Sequence, residues 1–174
     1  MEKTIKRLRE RYQKNEPVRL LFVCLGNICR SPAAEELMRQ EVQRHGDEGR
    51  FELDSAGLYG GHAGQLPDER MRLHARRRGY SLTHQARKVN ASDFEEFDMI
   101  LAMDASNYER LRHMAPLVED RDKVVMMSEF FSDARNKRYD YVPDPYYEGS
   151  EGFELVLDML EDATRGLYES ITRK

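Results

Sequence analysis

Residues 19–38 read RLLFVCLGNICRSPAAEELM, and their order of residue types decides the fold. The apolar run Leu20–Leu25 has strand length and no helical period. It meets Cys24, a polar turn follows, and the alanine- and glutamate-rich segment after Pro32 reads as a helix. Ser31 is expected at the N-cap and Pro32 at the first helical position, where a missing N–H costs nothing. Gly46 is the expected stop, and Leu37, Met38 and Val42 form the core face.

The alternation continues outward. RFELDSAG at 50–57 reads as a second strand, and PDERMRLHARRRG as a helix from Pro67 to a stop at Gly79. A short turn capped by Ser92 leads into a third strand, DMILAM at 98–103. DASNYERLRHMA at 104–115 is helical, DKVVMM at 122–127 is a fourth strand, and residues 128–150 are loop-like. The closing helix carries Phe153, Val156, Leu157, Leu160 and Leu167 on or near one face. Alternating strands and helices imply one α/β domain with a four-stranded parallel sheet, ordered 2-1-3-4, and helices on both faces. Residues 1–17 are expected to form an extension, as a surface helix or a frayed arm, with the domain proper at 18–174. Ile5, Leu8 and Tyr12 recur there at helical spacing, and Pro17 ends the segment.

Charge and composition narrow the function. The 28 basic and 32 acidic side chains leave a formal charge of −4, which disfavours nucleic acid as a partner. No apolar run is long enough to span a membrane, and the charged first residues lack a secretory core, so a reducing cytoplasm is expected. Cys24 and Cys29 are the only cysteines, too few for a disulfide framework or a four-cysteine metal site. No cofactor and no metal are expected. The nucleotide-binding signature Gly-x4-Gly-Lys-Ser/Thr is absent.

In parallel sheets ligands bind at the carboxyl ends of the strands, where the strand order reverses. Cys24 sits at such an end. Gly26 and Asn27 tolerate left-handed backbone, so the N–H groups of the turn can converge on an anion. The following helix adds its positive end, and Arg30 a planar fork that matches two phosphate oxygens. That field favours a thiolate at Cys24 aimed at a bound phosphorus, and hence nucleophilic phosphoryl transfer.

VCLGNICRSP resembles the Cys-x5-Arg-Ser/Thr-Pro signature of the low-molecular-weight protein tyrosine phosphatases, a flavodoxin-like fold of the phosphotyrosine phosphatase I type. Similarity extends through DSAG, LPDER, GYSLTHQAR, FDMILAMDASN, PDPYY and GFELVLDML, over about residues 18–171. The resemblance implies hydrolysis of phosphotyrosine in proteins through a phosphocysteine on Cys24. Arg30 and the loop from Leu25 through Gly26, Asn27, Ile28 and Cys29 to Ser31 would hold phosphate or another oxyanion. Ser31 would also hydrogen-bond the sulfur. Asp144 would act as general acid and then base. Asn27, Ser55 and His84 match a supporting network, Asp104 matches a residue that anchors the arginine, and Cys29 one that traps oxidised Cys24 as a disulfide.

Tyr146 and Tyr147 match one wall of the substrate cleft. The opposite wall is usually aromatic where this chain has Gly61, so Tyr59 or His62 must fill that space or the mouth is wider. Arsenate reductases of this type need further cysteines, and none follows Cys29. Protein arginine phosphatases usually carry threonine at the position of Ile28 and lack the tyrosine pair. A phosphotyrosine-binding module without turnover would not need Cys24, Arg30 and Asp144 together.

Overall fold

The computed structural model describes residues 1–174. Four strands form one all-parallel sheet: β1 (Val18–Cys24), β2 (Phe51–Gly57), β3 (Met99–Ala102) and β4 (Val124–Met126), in the order β2-β1-β3-β4. The register sets Cys24 beside Gly57 and Val23 beside Ala102. The order reverses at β1, so the crevice beyond Cys24 is the expected ligand position in such a sheet.

β1, β3 and β4 are largely apolar on both faces because helices cover both, whereas β2 carries Glu52 and Asp54. Val18, Leu20, Phe22 and Cys24 pack with α2 (Arg30–Arg44), α3 (Glu69–Arg77) and α7 (Ser150–Thr172). Leu21, Val23, Ile100 and Ala102 face the other way, against Phe94 of α4 (Asp93–Glu96) and Leu111 of α5 (Ala105–Met114). Each of the valine, leucine, isoleucine and phenylalanine side chains among them, taken fully out of water, contributes about 1.5–3 kcal/mol.

Local signals hold at several boundaries. Gly46 and Gly79 adopt φ of +70° and +89° just beyond α2 and α3. Others shift. α2 starts at Arg30, so Ser31 is helical and its hydroxyl turns inward instead of capping. α3 starts at Glu69, not Pro67, because the Asp68 side chain accepts from the backbone N–H of Arg70 and Met71. Ser92 occupies the N-cap of α4 without capping it through its side chain.

The segment 128–150 holds more structure than its composition implies. A 3₁₀ turn spans Met127–Phe130 and α6 spans Ala134–Lys137. The cause is Asp162, buried on α7, which accepts from the N–H groups of Ser132 and Asp133, the Ser132 hydroxyl and the Asn136 amide.

The first residues form α1 (Glu2–Gln13). Ile5 and Leu8 join the core shared with α7, and Leu8 is fully buried. The Tyr12 hydroxyl donates to Asp47, which also accepts from Tyr168. No helix is long and apolar enough to cross a membrane.

Candidate active site

Strand β1 delivers Cys24 to the sheet edge, and the chain turns at once into a loop running from Leu25 to α2. Asn27 takes the left-handed conformation, φ +55°. The loop lies close over the end of β2: a Cβ at Gly57 would stand 2.9 Å from the Leu25 carbonyl oxygen. No backbone N–H from Leu25 to Ser31 donates to another group of the protein. Residues Cys24 to Cys29 and Arg30, Asn27 excepted, line a cavity of about 220 Å³ closed by Tyr59, His62, Asp144, Tyr146 and Tyr147. Unpaired N–H groups around such a cavity form an anion cradle.

Arg30 is almost wholly buried, with its side chain 3% exposed. Its Nη1 donates to Asp104 Oδ2 at 2.7 Å and to the Val142 carbonyl at 3.0 Å. Nη2 lies 3.6 Å from Asp144 Oδ2 and makes no hydrogen bond of its own. Burial alone would lower the guanidinium's affinity for its proton, but the Cys24 sulfur, Asp104 and Asp144 outweigh it and the net shift is upward. Arg30 therefore stays charged. Asp104 serves twice, since its Oδ1 also caps α5 by accepting from the Asn107 N–H at 2.8 Å.

A buried network sets the loop's shape. Asn27 is fully enclosed, and its amide reaches its full bonding capacity. Nδ2 donates to Ser31 Oγ at 2.7 Å and Ser55 Oγ at 3.0 Å. Oδ1 accepts from His84 Nε2 and from the Arg87 N–H, each at 3.0 Å. Ser31 Oγ, already an acceptor, sits 3.0 Å from Cys24 Sγ and 3.5 Å from the Ala56 carbonyl. With its acceptor side taken by Asn27, the Ser31 hydroxyl is placed to donate towards the Cys24 sulfur. Ser55 passes the chain on by donating to Glu35 Oε1 at 2.7 Å. His84 Nδ1 faces Glu35 at 3.2 Å and Asp54 at 3.6 Å. Glu35 and Arg87 also belong to this network; the sequence marks Glu35 only by its helix spacing from the motif and Arg87 only as the end of the GYSLTHQAR stretch.

Cys29 is buried under the loop, and both cysteines are free. Burial, with Asp68, Cys24 and Asp144 nearby, pushes the Cys29 thiol far up, so it remains protonated. The two sulfurs thus differ in setting: Cys24 faces the Ser31 hydroxyl and the cavity, Cys29 faces acidic neighbours.

At the mouth, the Tyr59 ring occupies the space that a side chain at 61 would fill. It meets His62 edge-on with centroids 5.7 Å apart. Tyr146 and Tyr147, which also line the cavity, meet each other edge-to-face with centroids 4.9 Å apart. The anticipated gap at Gly61 is thereby closed by the residue two positions earlier. A larger groove of about 610 Å³ lies between residues 132–139 and α7. Arg135–Asp133 is the one ion pair within its lining, Asp158 and Glu161 pair with Arg78 outside it, and it holds no cysteine or histidine.

Residues 19–174 match the family described as low molecular weight phosphotyrosine protein phosphatase. The chain belongs to that family. A low molecular weight phosphotyrosine protein phosphatase of Schizosaccharomyces pombe is 42% identical over 155 residues, covering 88% of this chain and 97% of the relative. Among solved structures, a protein tyrosine phosphatase from Entamoeba histolytica with Hepes in its active site superposes with a TM-score of 0.83 at 44% identity, over 87% of this chain and 94% of that one. A Drosophila arginine phosphatase shares the fold at TM-score 0.79 and 31% identity, over 86% and 95% of the two chains. The family match begins at Arg19, leaving α1 outside it.

Proposed function

We propose that this phosphatase hydrolyses phosphotyrosine in proteins, with Cys24 as nucleophile and Asp144 as general acid and base. The observation that carries the reading is the convergence on one cavity of the Cys24 sulfur, the unpaired loop N–H groups, the free edge of Arg30 and the Asp144 carboxylate.

The phosphoryl group would rest in the loop with its equatorial oxygens on the N–H groups of Leu25, Gly26, Asn27, Ile28, Cys29, Arg30 and Ser31 and on the Arg30 fork. Charge builds on those oxygens in a loose transition state, so fixed donors stabilise it without reorganising. Cys24 would attack in line, forming the S–P bond as the P–O bond to tyrosine breaks. Asp144 would give its proton to the departing oxygen, then take one from the water that attacks the phosphocysteine. Ser31 would stabilise the thiolate at both ends of the cycle. Arg30 and the N–H groups supply the positive charge this requires, so the reading needs no metal or cofactor. Ser55, His84 and Asp104 act at one remove, by holding Asn27 and Arg30.

Tyr59, Tyr146 and Tyr147 present flat rings around the mouth, and Leu25 and Ile28 add apolar lining. Such walls suit an aromatic leaving group better than a guanidinium one. A cytoplasmic setting belongs to the same reading, since reducing surroundings keep Cys24 a free thiol; Cys29 would capture it as a disulfide on oxidation.

The test is phosphate release from a phosphotyrosyl peptide, with reductant and chelator present, by the intact protein and by Cys24→Ser. Turnover in the first and none in the second is expected. A folded intact protein that releases phosphate from phosphoarginine but not from the peptide would replace this reading.

A further inference from the structure

We propose that Arg70 ties the loop bearing Asp144 to the phosphate loop, making it a positioning residue for proton transfer at the leaving oxygen. The proposal rests on Asp144 being the acid, as argued above.

The tie begins at the start of α3. The backbone N–H of Asp68 donates to the Ile28 carbonyl at 2.7 Å, which fixes this corner to the phosphate loop. The Asp68 carboxylate grips Arg70 through both oxygens: Nε to Oδ1 at 3.1 Å and Nη2 to Oδ2 at 3.0 Å. A two-point pair sets the plane of the guanidinium as well as its position. Nη2 then has a further N–H to give, and it donates to the Tyr146 carbonyl at 2.9 Å. The guanidinium also lies over the rings of Tyr146 and Phe153, 5.4 and 5.0 Å from their centroids.

On its other side the Tyr146 N–H donates to Asp144 Oδ1 at 3.0 Å. Asp144 Oδ2 stands 3.6 Å from Arg30 Nη2, which closes the circuit. The path runs from Ile28 through Asp68, Arg70, Tyr146 and Asp144 back to Arg30, two residues from where it began.

The segment has one other anchor. Val142 is fully buried, donates to the Met103 carbonyl at 2.7 Å and accepts from Arg30 at 3.0 Å. Over residues 143–148, the hydrogen bond from Arg70 is the only one that reaches outside the segment; Tyr146 N–H to Asp144 and Glu148 N–H to the Pro145 carbonyl are internal, and Gly149 already serves α7 by accepting from Gly152. Pro143 and Pro145 have no N–H with which to make another. Asp144 therefore hangs between a buried anchor and Arg70.

Arg70 has a side chain about half exposed, so its pair with Asp68 adds little to stability in water. Its effect is geometric. An acid must lie within hydrogen-bond reach of the oxygen it protonates, and small misplacements are costly in rate. Losing the tie should impair proton transfer while leaving the fold and the phosphate loop in place.

The readout is the dependence of kcat/KM on the leaving group. A phenyl phosphate leaves as a phenoxide near the basicity of tyrosine, with pKa about 10, and needs the acid. A dinitrophenyl phosphate leaves unaided. In Arg70→Met the ratio of kcat/KM for the dinitrophenyl ester to that for the phenyl ester is expected to rise about five-fold or more, in the direction of Asp144→Asn but short of it. Arg70→Lys, which keeps a donor but not the fork, should restore part of the ratio. An unchanged ratio in a folded Arg70→Met protein, alongside a raised one in Asp144→Asn, would overturn the positioning role alone. An unchanged ratio in Asp144→Asn would overturn it together with the acid. No turnover by the intact protein would remove the phosphatase reading itself.

Discussion

Replacing Gly61 by Ala should weaken substrate binding while leaving the fold intact. An ideal Cβ at 61 would fall inside van der Waals contact with Cε1, Cζ and the hydroxyl of Tyr59. Gly61 does not use the left-handed backbone, so alanine meets no conformational strain there. Relief must come from the Tyr59 ring, which is 55% exposed and free to swing into water. The swing loses its edge-on contact with His62, a kind of pairing worth about 0.5–1.5 kcal/mol. The loss of stability should therefore be about 1 kcal/mol or less, since nothing buried moves. The same ring is one wall of the cleft, and losing a stacking surface of that worth raises Kd roughly two- to twelve-fold. Steady-state kinetics on a phosphotyrosyl peptide should show this in KM, with kcat nearly unchanged, because Cys24, Arg30 and Asp144 are untouched. The decisive control is a double-mutant cycle. Tyr59→Ala should raise KM by a similar factor, and adding Gly61→Ala to it should raise KM no further. Additive effects, or an unchanged KM in Gly61→Ala, would refute the idea that residue 61 acts through Tyr59.

Two further expectations concern parts of the fold away from the cavity. Leu8→Ala should cost about 2–5 kcal/mol in urea unfolding, as fully buried leucines do, whereas Lys6→Ala on the exposed side of α1 should change stability by under about 0.5 kcal/mol; equal small effects would mean that α1 is not part of the core. For Asp162, burial raises the carboxyl's affinity for its proton, but hydrogen bonds from Asn136, Ser132 and Asp133 outweigh it and hold the group below the usual range. Its stabilisation is thus full above the unfolded value of about 3.9 and is lost as pH falls through the lower folded value. Asp162→Asn should be less stable than the parent by about 2 kcal/mol at pH 7, and the gap should close in strong acid; a gap of constant size would contradict the assignment.

Much of this protein is decided by local sequence. A short apolar run, a turn containing Asn27, and a helix after Arg30 specify strand, anion cradle and positive helix end within a dozen residues. Alternation of strands and helices then fixes a parallel sheet, and the position of Cys24 follows from where β1 ends. Tertiary structure decides the rest. Glu35, Arg87 and Arg70 acquire roles only when partners 20 to 76 positions away arrive beside them. Ser31 reads locally as a cap, yet the fold turns its hydroxyl to Cys24 because Asn27 is there to donate to it. Likewise α1 reads as a thin stripe on a charged segment, and only the surface of α7 supplies the core into which Leu8 sinks. Backbone turns and periodicity leave a pattern in neighbouring residues because their causes are steric and local. A hydrogen bond between distant side chains leaves none, since its cause is where the folded chain returns.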